Sequence, residues 1–413
     1  MDKESKLVSR DYILVMIAAC GTNFVNFSFF STLPLFANLL TGTATFAGYM
    51  SLAYSATALV VRPVAGLLSD RIGRVRIIVI GAALAAVSCV LYGMTTSIVL
   101  LLLIRVLNGA GMSLNATCAG AAVPDIVPEE KMGKGIGIFG LNATVAQALG
   151  PMIAIAIVGS GESLSSFRKL FFVAAGFCGI SFISGCNIRY ERGRKGGEPP
   201  KQEAMAASEP GKQEEKTIFG FERQVFAPAF VAVLYFLGVS SILTFVTLYG
   251  KERGFQVENL GWFFLISACG VLLSRLLVSG VVDKRGEDVV IMPALLVMVA
   301  SLAAIPFVPS LPYLLCLAIP YGLASGSFMP AINTTMFRRC SPKRRGAVSA
   351  VNNLAIDIGI TIGAPVMGRI ADSIGFSWVF WTSAALVCLS FLFFILYASD
   401  KQYSRREAKK THE

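Results

Sequence analysis

The chain is a succession of twelve apolar runs, each about as long as a helix must be to cross roughly 30 Å of hydrocarbon. They fall at about 12–38, 46–69, 77–96, 98–122, 134–158, 168–188, 224–249, 259–282, 289–308, 311–336, 346–370 and 376–398. Several are apolar all round, with no polar stripe, so lipid and neighbouring helices must be their surroundings. Only 15% of the 413 residues are charged and 55% are hydrophobic, a balance unlike that of a soluble protein of this size. The sequence predicts an all-α polytopic membrane protein.

The net charge of +11 has a placement that explains it. With the N-terminus taken as cytoplasmic, 28 of the 36 Lys and Arg fall on one side, in the N-terminal arm, the even-to-odd helix loops and the C-terminal tail. Arg168, Lys169, Lys251 and Arg253 fall on the other, and Arg62, Arg105, Arg275 and Arg369 lie within helices or near their ends. This asymmetry predicts both termini in the cytoplasm, and a plasma-membrane location is expected. A basic face for anionic lipid headgroups accounts for the charge, so lipids are the expected partner and nucleic acid is not. The nine cysteines are scattered, mostly inside apolar runs, without the spacing of zinc sites or disulfide frameworks, and read as small buried hydrophobes.

Residues 189–222 interrupt the apolar pattern with Arg, Gly, Pro, Glu and Lys, the composition of a solvated linker. The expected organisation is a cytoplasmic arm (1–11), a six-helix bundle (12–188), a cytoplasmic linker (189–222), a second six-helix bundle (223–398) and a cytoplasmic tail (399–413). One charged pattern supports equivalence of the bundles. Arg62-x3-Gly66-x3-Asp70-Arg71-x-Gly73 returns 213 residues later as Arg275-x3-Ser279-x3-Asp283-Lys284-x-Gly286. Gly109, Gly133 and Gly150 meet Gly322, Gly346 and Gly363 at the same offset. Two halves on one plan indicate duplication.

In Gly66-Leu67-Leu68-Ser69-Asp70-Arg71-Ile72-Gly73-Arg74-Val75-Arg76, the glycines suit close helix approach and a tight turn, and the basic residues hold the loop in the cytoplasm. Asp70 can pair with arginines or accept from a helix N-terminus. This stretch resembles the signature between helices 2 and 3 of the major facilitator superfamily. The resemblance implies two pseudo-symmetric six-helix bundles that transport a small molecule. It also implies a conformational gate at Gly66, Asp70, Arg71, Gly73 and Arg74, repeated at Asp283, Lys284 and Gly286. Asp70 would help lock the outward-facing state against helix 11.

Helix 4 carries Arg105-x2-Asn108-Gly109-x-Gly111, similar to a second signature of the family, with asparagine where glutamine is frequent. An arginine inside a membrane helix needs a partner or a watery cavity. The resemblance gives Arg105 a role in proton coupling or anionic substrate contact, and snorkelling to the interface is the other reading. Helix 5 has small residues ending in Gly-Pro (Gly140, Ala143, Ala146, Ala148, Gly150, Pro151), which permit close packing and a bend. It resembles the helix-5 motif of the drug–proton antiporter branches, although Met152 follows the proline where a glycine is usual. Packing alone would also account for it.

Asp357 stands about eleven residues into helix 11, roughly 16 Å deep, and no other carboxylate lies as deep in any of the twelve runs. A buried acid can exchange protons near neutrality, as proton coupling requires, while an ion pair between the halves is the structural alternative. From the family's architecture, helices 1, 4, 7 and 10 line the path. The expected cavity residues are Asn23, Asn26, Phe30, Asn115, Tyr235, Thr244, Phe245, Tyr321 and Asn333. Amides and aromatics with few charges suit an amphipathic or weakly polar organic substrate.

The sequence shows no His-based ligand set, no HExxH and no phosphate-binding loop, so no enzyme activity, metal or cofactor is expected. Energy would then come from an ion gradient or from the substrate's own. The leading expectation is a monomeric, proton-coupled exporter of small organic molecules. Uptake symport of a sugar or organic acid and a non-transporting membrane receptor are the alternatives. The run Asp357-Ile358-Gly359 also resembles exporters of opine-type metallophores.

Overall fold

In the computed structural model, the described residues are 9–128, 131–191, 217–218, 221–222, 225–339 and 345–399. Each apolar run becomes one helix. They are α1 (Arg10–Thr41), α2 (Ala44–Ile72), α3 (Arg74–Met94), α4 (Ile98–Ile126), α5 (Met132–Val158), α6 (Leu164–Cys186), α7 (Phe226–Glu252), α8 (Val257–Arg285), α9 (Asp288–Ala304), α10 (Leu311–Arg338), α11 (Arg345–Ile374) and α12 (Phe376–Phe393). Among the described residues, all twelve are apolar and long enough to span a membrane, α9 and α12 with the short 3-10 and π turns that follow them. Several outrun their apolar blocks. The charged residues at their ends remain helical, as in α2, which continues through Asp70 and Arg71. The helices turn sharply at Gly73 and Gly286, whose φ values of 96° and 83° favour glycine. Between α6 and α7, Thr217–Ile218 pairs antiparallel with Phe221–Glu222. The rest of the expected linker, 192–216 and 219–220, and the tail from 400 onward lie outside the described residues.

The chain divides into two compact units. The first comprises residues 1–42, 53–210 and 256–261, and the second 43–52, 211–255 and 262–413. The short segments that change sides are themselves repeat-related, since 43 and 256 are 213 apart. Within the first unit α1 packs on α5 and α6, and α3 on α4 and α6. Within the second, α7 packs on α11 and α12, and α9 on α10 and α12, the same scheme shifted by six helices. Duplication is therefore visible in the packing as well as in the loops.

Two of the glycine pairs named in the sequence explain how. A Cβ at Gly109 would sit 3.0 Å from Tyr54 O, and one at Gly322 would overlap Ser267 O; Tyr54 and Ser267 are themselves repeat partners. A Cβ at Gly150 would lie 2.8 Å from Phe24 O, and one at Gly363 would lie 2.6 Å from Leu237 O, again partners. These four glycines let backbones touch where a side chain would hold them apart. Among the described residues, Gly66, Gly133 and Gly140 have nothing within 4 Å of such a Cβ. Large exposed side chains such as Leu67, Met94, Val99 and Leu276 sit on outward helix faces, which suits contact with lipid tails.

Candidate functional site

The first unit buries one cation in its apolar interior. Arg105 is 1% exposed, and its guanidinium lies 4.5 Å from the ring centroid of Tyr54 and 5.8 Å from that of Phe30. The two rings meet edge to face at 5.3 Å. Arg105 Nη1 donates to Asn108 Oδ1 at 3.0 Å, and Asn108 Nδ2 donates to Ser88 Oγ at 2.9 Å. Three residues of helical spacing put Arg105 and Asn108 on one face of α4, so the asparagine serves as a local acceptor for the cation. The guanidinium thus turns inward to aromatic faces and an amide, a desolvated setting in which cation–π attraction is strongest. Asn23, Asn26 and Phe30 share a face of α1 by their spacing and are half-buried. Asn26 Oδ1 has no hydrogen-bond partner among the described residues. Asn115 is fully buried: it accepts from Thr22 Oγ1 at 2.8 Å and donates to Ile78 O at 3.2 Å, tying α1, α3 and α4 together.

At the α2–α3 turn of the same unit lies a dense charged cluster. Arg74 pairs with Asp125 at 2.7 Å and also donates to Ala121 O. The start of α3 has no local side-chain cap. Glu191, just beyond α6, supplies one: Arg74 N donates to Oε1 at 2.8 Å and Val75 N to Oε2 at 3.1 Å. Tyr190 Oη donates to the same carboxylate at 3.2 Å. Burial, reinforced by the carboxylates of Glu191 and Asp125, pushes the Tyr190 phenol well above its ordinary range and keeps it a donor. A Cβ on Gly73 would lie 2.7 Å from Glu191 Oε2, so the carboxylate lies close over this turn, whose φ favours glycine. Arg71 is exposed. The side chains of Asp70, Asp283 and Lys284 lie outside the described residues.

The second unit repeats this cluster with its charges exchanged. Arg74 and Asp125, moved by 213, become Glu287 and Arg338. Those residues pair through two contacts, Arg338 Nε to Glu287 Oε1 at 2.9 Å and Arg338 Nη1 to Oε2 at 3.0 Å. Sequence reading singled out neither Asp125, Glu191, Glu287 nor Arg338. The 213-residue offset held the signal for the two pairs, but only to a reader who allowed opposite charges to be equivalent.

Asp357 lies twelve residues past the start of α11, about 18 Å along its axis, and is 4% exposed. Glu287, at a helix end, and Asp357 are the buried carboxylates among the described residues. Gly359 and Gly363 bring α11 onto α7 just beyond Asp357, against Val233, Phe236, Leu237 and Ser240. Three of the aromatics expected at the cavity have ring partners. Tyr235 is stacked on Phe328 at 4.0 Å, Tyr321 faces Phe263 at 5.8 Å, and Phe245 faces Phe376 at 6.2 Å. Thr244 is buried beside Ser51, with 3.3 Å between the hydroxyls, and Asn333 is half-buried. Pro151 follows Gly150 inside α5, where Gly150 O accepts from Ser28 Oγ at 2.9 Å.

Twelve spanning helices, a packing scheme used twice and an intramembrane cation and acid describe a carrier built by duplication. The sequence profile of the Major Facilitator Superfamily matches residues 14–360 and again 229–413, and the chain belongs to that family. It is a multi-pass membrane transporter of a small molecule and not an enzyme. The staphylopine export protein of Staphylococcus aureus is 22% identical over 388 residues, 92% of each chain. The multidrug resistance protein MdtG of Citrobacter koseri is 28% identical over 391 residues, 91% of this chain and 90% of its own. Among solved structures, a POT family transporter in complex with a thioalcohol-conjugated peptide superposes with a TM-score of 0.76 at 13% identity, covering 94% of this chain and 96% of its own. The nucleoside transporter NupG superposes at 0.73 with 15% identity, covering 94% and 100%.

Proposed function

We propose that this transporter exports a small amphipathic organic molecule from the cytoplasm in exchange for protons, by alternating access. The observation that carries the coupling is Asp357, a carboxylate buried well inside a spanning helix, where an ionisable side chain is rare and marks a route for protons or substrate. The bundles 12–188 and 223–398, joined by 189–222, are the rocking halves, with both termini in the cytoplasm and the monomer as the working unit. Asp70, Arg71, Asp283 and Lys284 serve as gate elements at the cytoplasmic face. Efflux is favoured over uptake because the sequence relatives named above are an export protein and a multidrug resistance protein. Asn23, Asn26 and Phe30, half-buried on one face of α1 beside the Arg105 cage, are the substrate-facing group of the first unit.

The test is flux in inside-out vesicles under an imposed proton gradient, against a panel of dyes, sugars and organic acids. The expected result is uphill accumulation of amphipathic compounds that Asp357→Asn abolishes while substrate exchange persists. Gradient-driven transport unchanged by Asp357→Asn would remove this residue from coupling. A second reading, a metallophore-type amino-carboxylate as cargo, draws on the match to the staphylopine export protein over 92% of the chain. Opine-type compounds belong in the same panel.

A further inference from the structure

The first turn of α2 is capped by a residue 328 positions away. Asp372, near the end of α11, accepts from Ala44 N through Oδ1 at 2.8 Å and from Thr45 N through Oδ2 at 2.7 Å. One turn further along, the helices touch. A Cβ on Gly368 would lie 2.8 Å from Ala44 O, and one on Gly48 would lie 2.6 Å from Ala364 O and 2.8 Å from Pro365 Cα. Arg369 Nη2 donates to Tyr49 Oη at 3.0 Å and completes the seam. All of these residues belong to the second unit.

The repeat separates what packing needs from what has been added. Gly48 and Pro365 correspond at the 213 offset to Gly261 and Met152, which also meet closely: a Cβ on Gly261 would lie 3.0 Å from Met152 Cα. Glycine-mediated contact therefore occurs in both copies. The carboxylate cap does not. The counterpart of Asp372 is Gly159, and the counterparts of Ala44 and Thr45 are Val257 and Glu258. There the acid comes from the opposite helix, Glu258 Oε1 lying 3.6 Å from where a Cβ on Gly159 would stand. The α11-side carboxylate that caps the start of α2 is thus particular to one copy of the seam.

We propose that Asp372 is a positioning residue of the outer gate, a releasable clasp that biases the carrier toward the state in which the start of α2 lies against α11. The inference rests on the alternating-access reading above, with the α1–α2 link at the outer face. Opening outward separates these ends, exposing two helix-start amides and a carboxylate that had satisfied each other. A charged cap at a helix N-terminus is lost at moderate cost, and its separated parts are well solvated, so the contact suits repeated making and breaking.

The test uses the full chain in liposomes, with its native cysteines replaced and spin labels on Thr43→Cys and Ile374→Cys. Pulsed dipolar spectroscopy then reads the separated fraction without substrate or gradient. Asp372→Ala is expected to raise that fraction about five- to tenfold, the scale of one charged helix cap. Ala44→Pro removes one of the two donors at a position that tolerates proline, keeps the aspartate, and should give about half the effect on a logarithmic scale. It also serves should Asp372→Ala fail to insert. Distance distributions in either variant that superimpose on the parent's would overturn the clasp, even if the parent transports normally. Absence of flux in the parent would instead overturn the transport reading, and the distances would still report on the clasp.

Discussion

The exchanged charge pairs lead to a quantitative expectation. Arg74 stands at the first residue of α3 and Asp125 near the last residue of α4, each opposed by the partial charge of its helix end. Glu287 and Arg338 have the opposite arrangement, an acid before the start of α9 and a base at the end of α10, which the helix dipoles favour. The first unit therefore holds the less favourable polarity and has Glu191 beside Arg74 to offset it. At 2.7 Å the Arg74–Asp125 attraction is about 6 kcal/mol gross at an effective dielectric of 20, before desolvation. The side chains are 13% and 9% exposed, between the surface and interior regimes. We therefore expect loss of one partner to cost about 2 kcal/mol, above the ~0.2–1 of exposed pairs and below the ~3–5 of buried ones. For a unit of this size that is roughly 4–8 °C in thermal midpoint. Arg74→Glu and Asp125→Arg should each lose at least that much, because each sets like charges together. The double exchange should recover most of the loss. It gains roughly 1–2 kcal/mol from the dipoles but places Glu191 against a new carboxylate, so adding Glu191→Gln should complete the recovery. Thermal unfolding in detergent and vesicle flux across the single, double and triple variants give the coupling energy directly. Coupling below about 0.5 kcal/mol, with the double variant no better than the sum of its parts, would refute the claim that the two units hold one interaction in opposite senses.

Two further outcomes follow from the same geometry. Arg105→Lys keeps the charge but loses the planar stack on Tyr54 and the fork that reaches Asn108, so flux should fall about tenfold with little change in thermal midpoint; equal flux would show that charge alone suffices there. Gly363→Ala and Gly150→Ala each place a methyl group against neighbouring backbone and should cost about 1–3 kcal/mol, whereas Gly140→Ala should be neutral, as thermal unfolding would reveal.

The helices and their duplication were legible because both are local or periodic properties. Length and apolarity define a span wherever it occurs, and Asp70-Arg71-x-Gly73 is recognisable beside Asp283-Lys284-x-Gly286 without any fold. Arg105, Asn108 and Asp357 were legible for the related reason that charged and amide groups are rare in apolar runs, so each invites a question about its partner. What could not be read was the partner. Tyr54, which meets the guanidinium of Arg105, is 51 residues away on α2, whose charged signature lies at its far end and says nothing about Tyr54. The aromatic side chains expected to face a cavity were equally ambiguous, since Tyr235 stacked on Phe328 and a tyrosine facing substrate have the same one-dimensional pattern.

The same reasoning explains why the two remote caps were invisible. A local cap announces itself as Ser, Thr, Asp or Asn just before a helix, as Ser9 does for α1. Glu191 and Asp372 lie 117 and 328 residues from the amides they hold, in stretches where an acid near a helix end looks like an ordinary solvated charge. Such caps also behave differently from local ones. A local cap travels with its helix and is kept through any rigid-body motion, whereas a remote cap is made or broken whenever the two helices move apart. The fold therefore has two kinds of helix start, and those closed by a distant carboxylate are where motion changes the hydrogen-bond inventory. By that criterion the α2–α3 turn and the start of α2 should lead the other helix starts in the hydrogen-exchange response to substrate. Protection at Ala44, Thr45, Arg74 and Val75 that stayed constant while flux proceeded would show that neither cap takes part in the cycle.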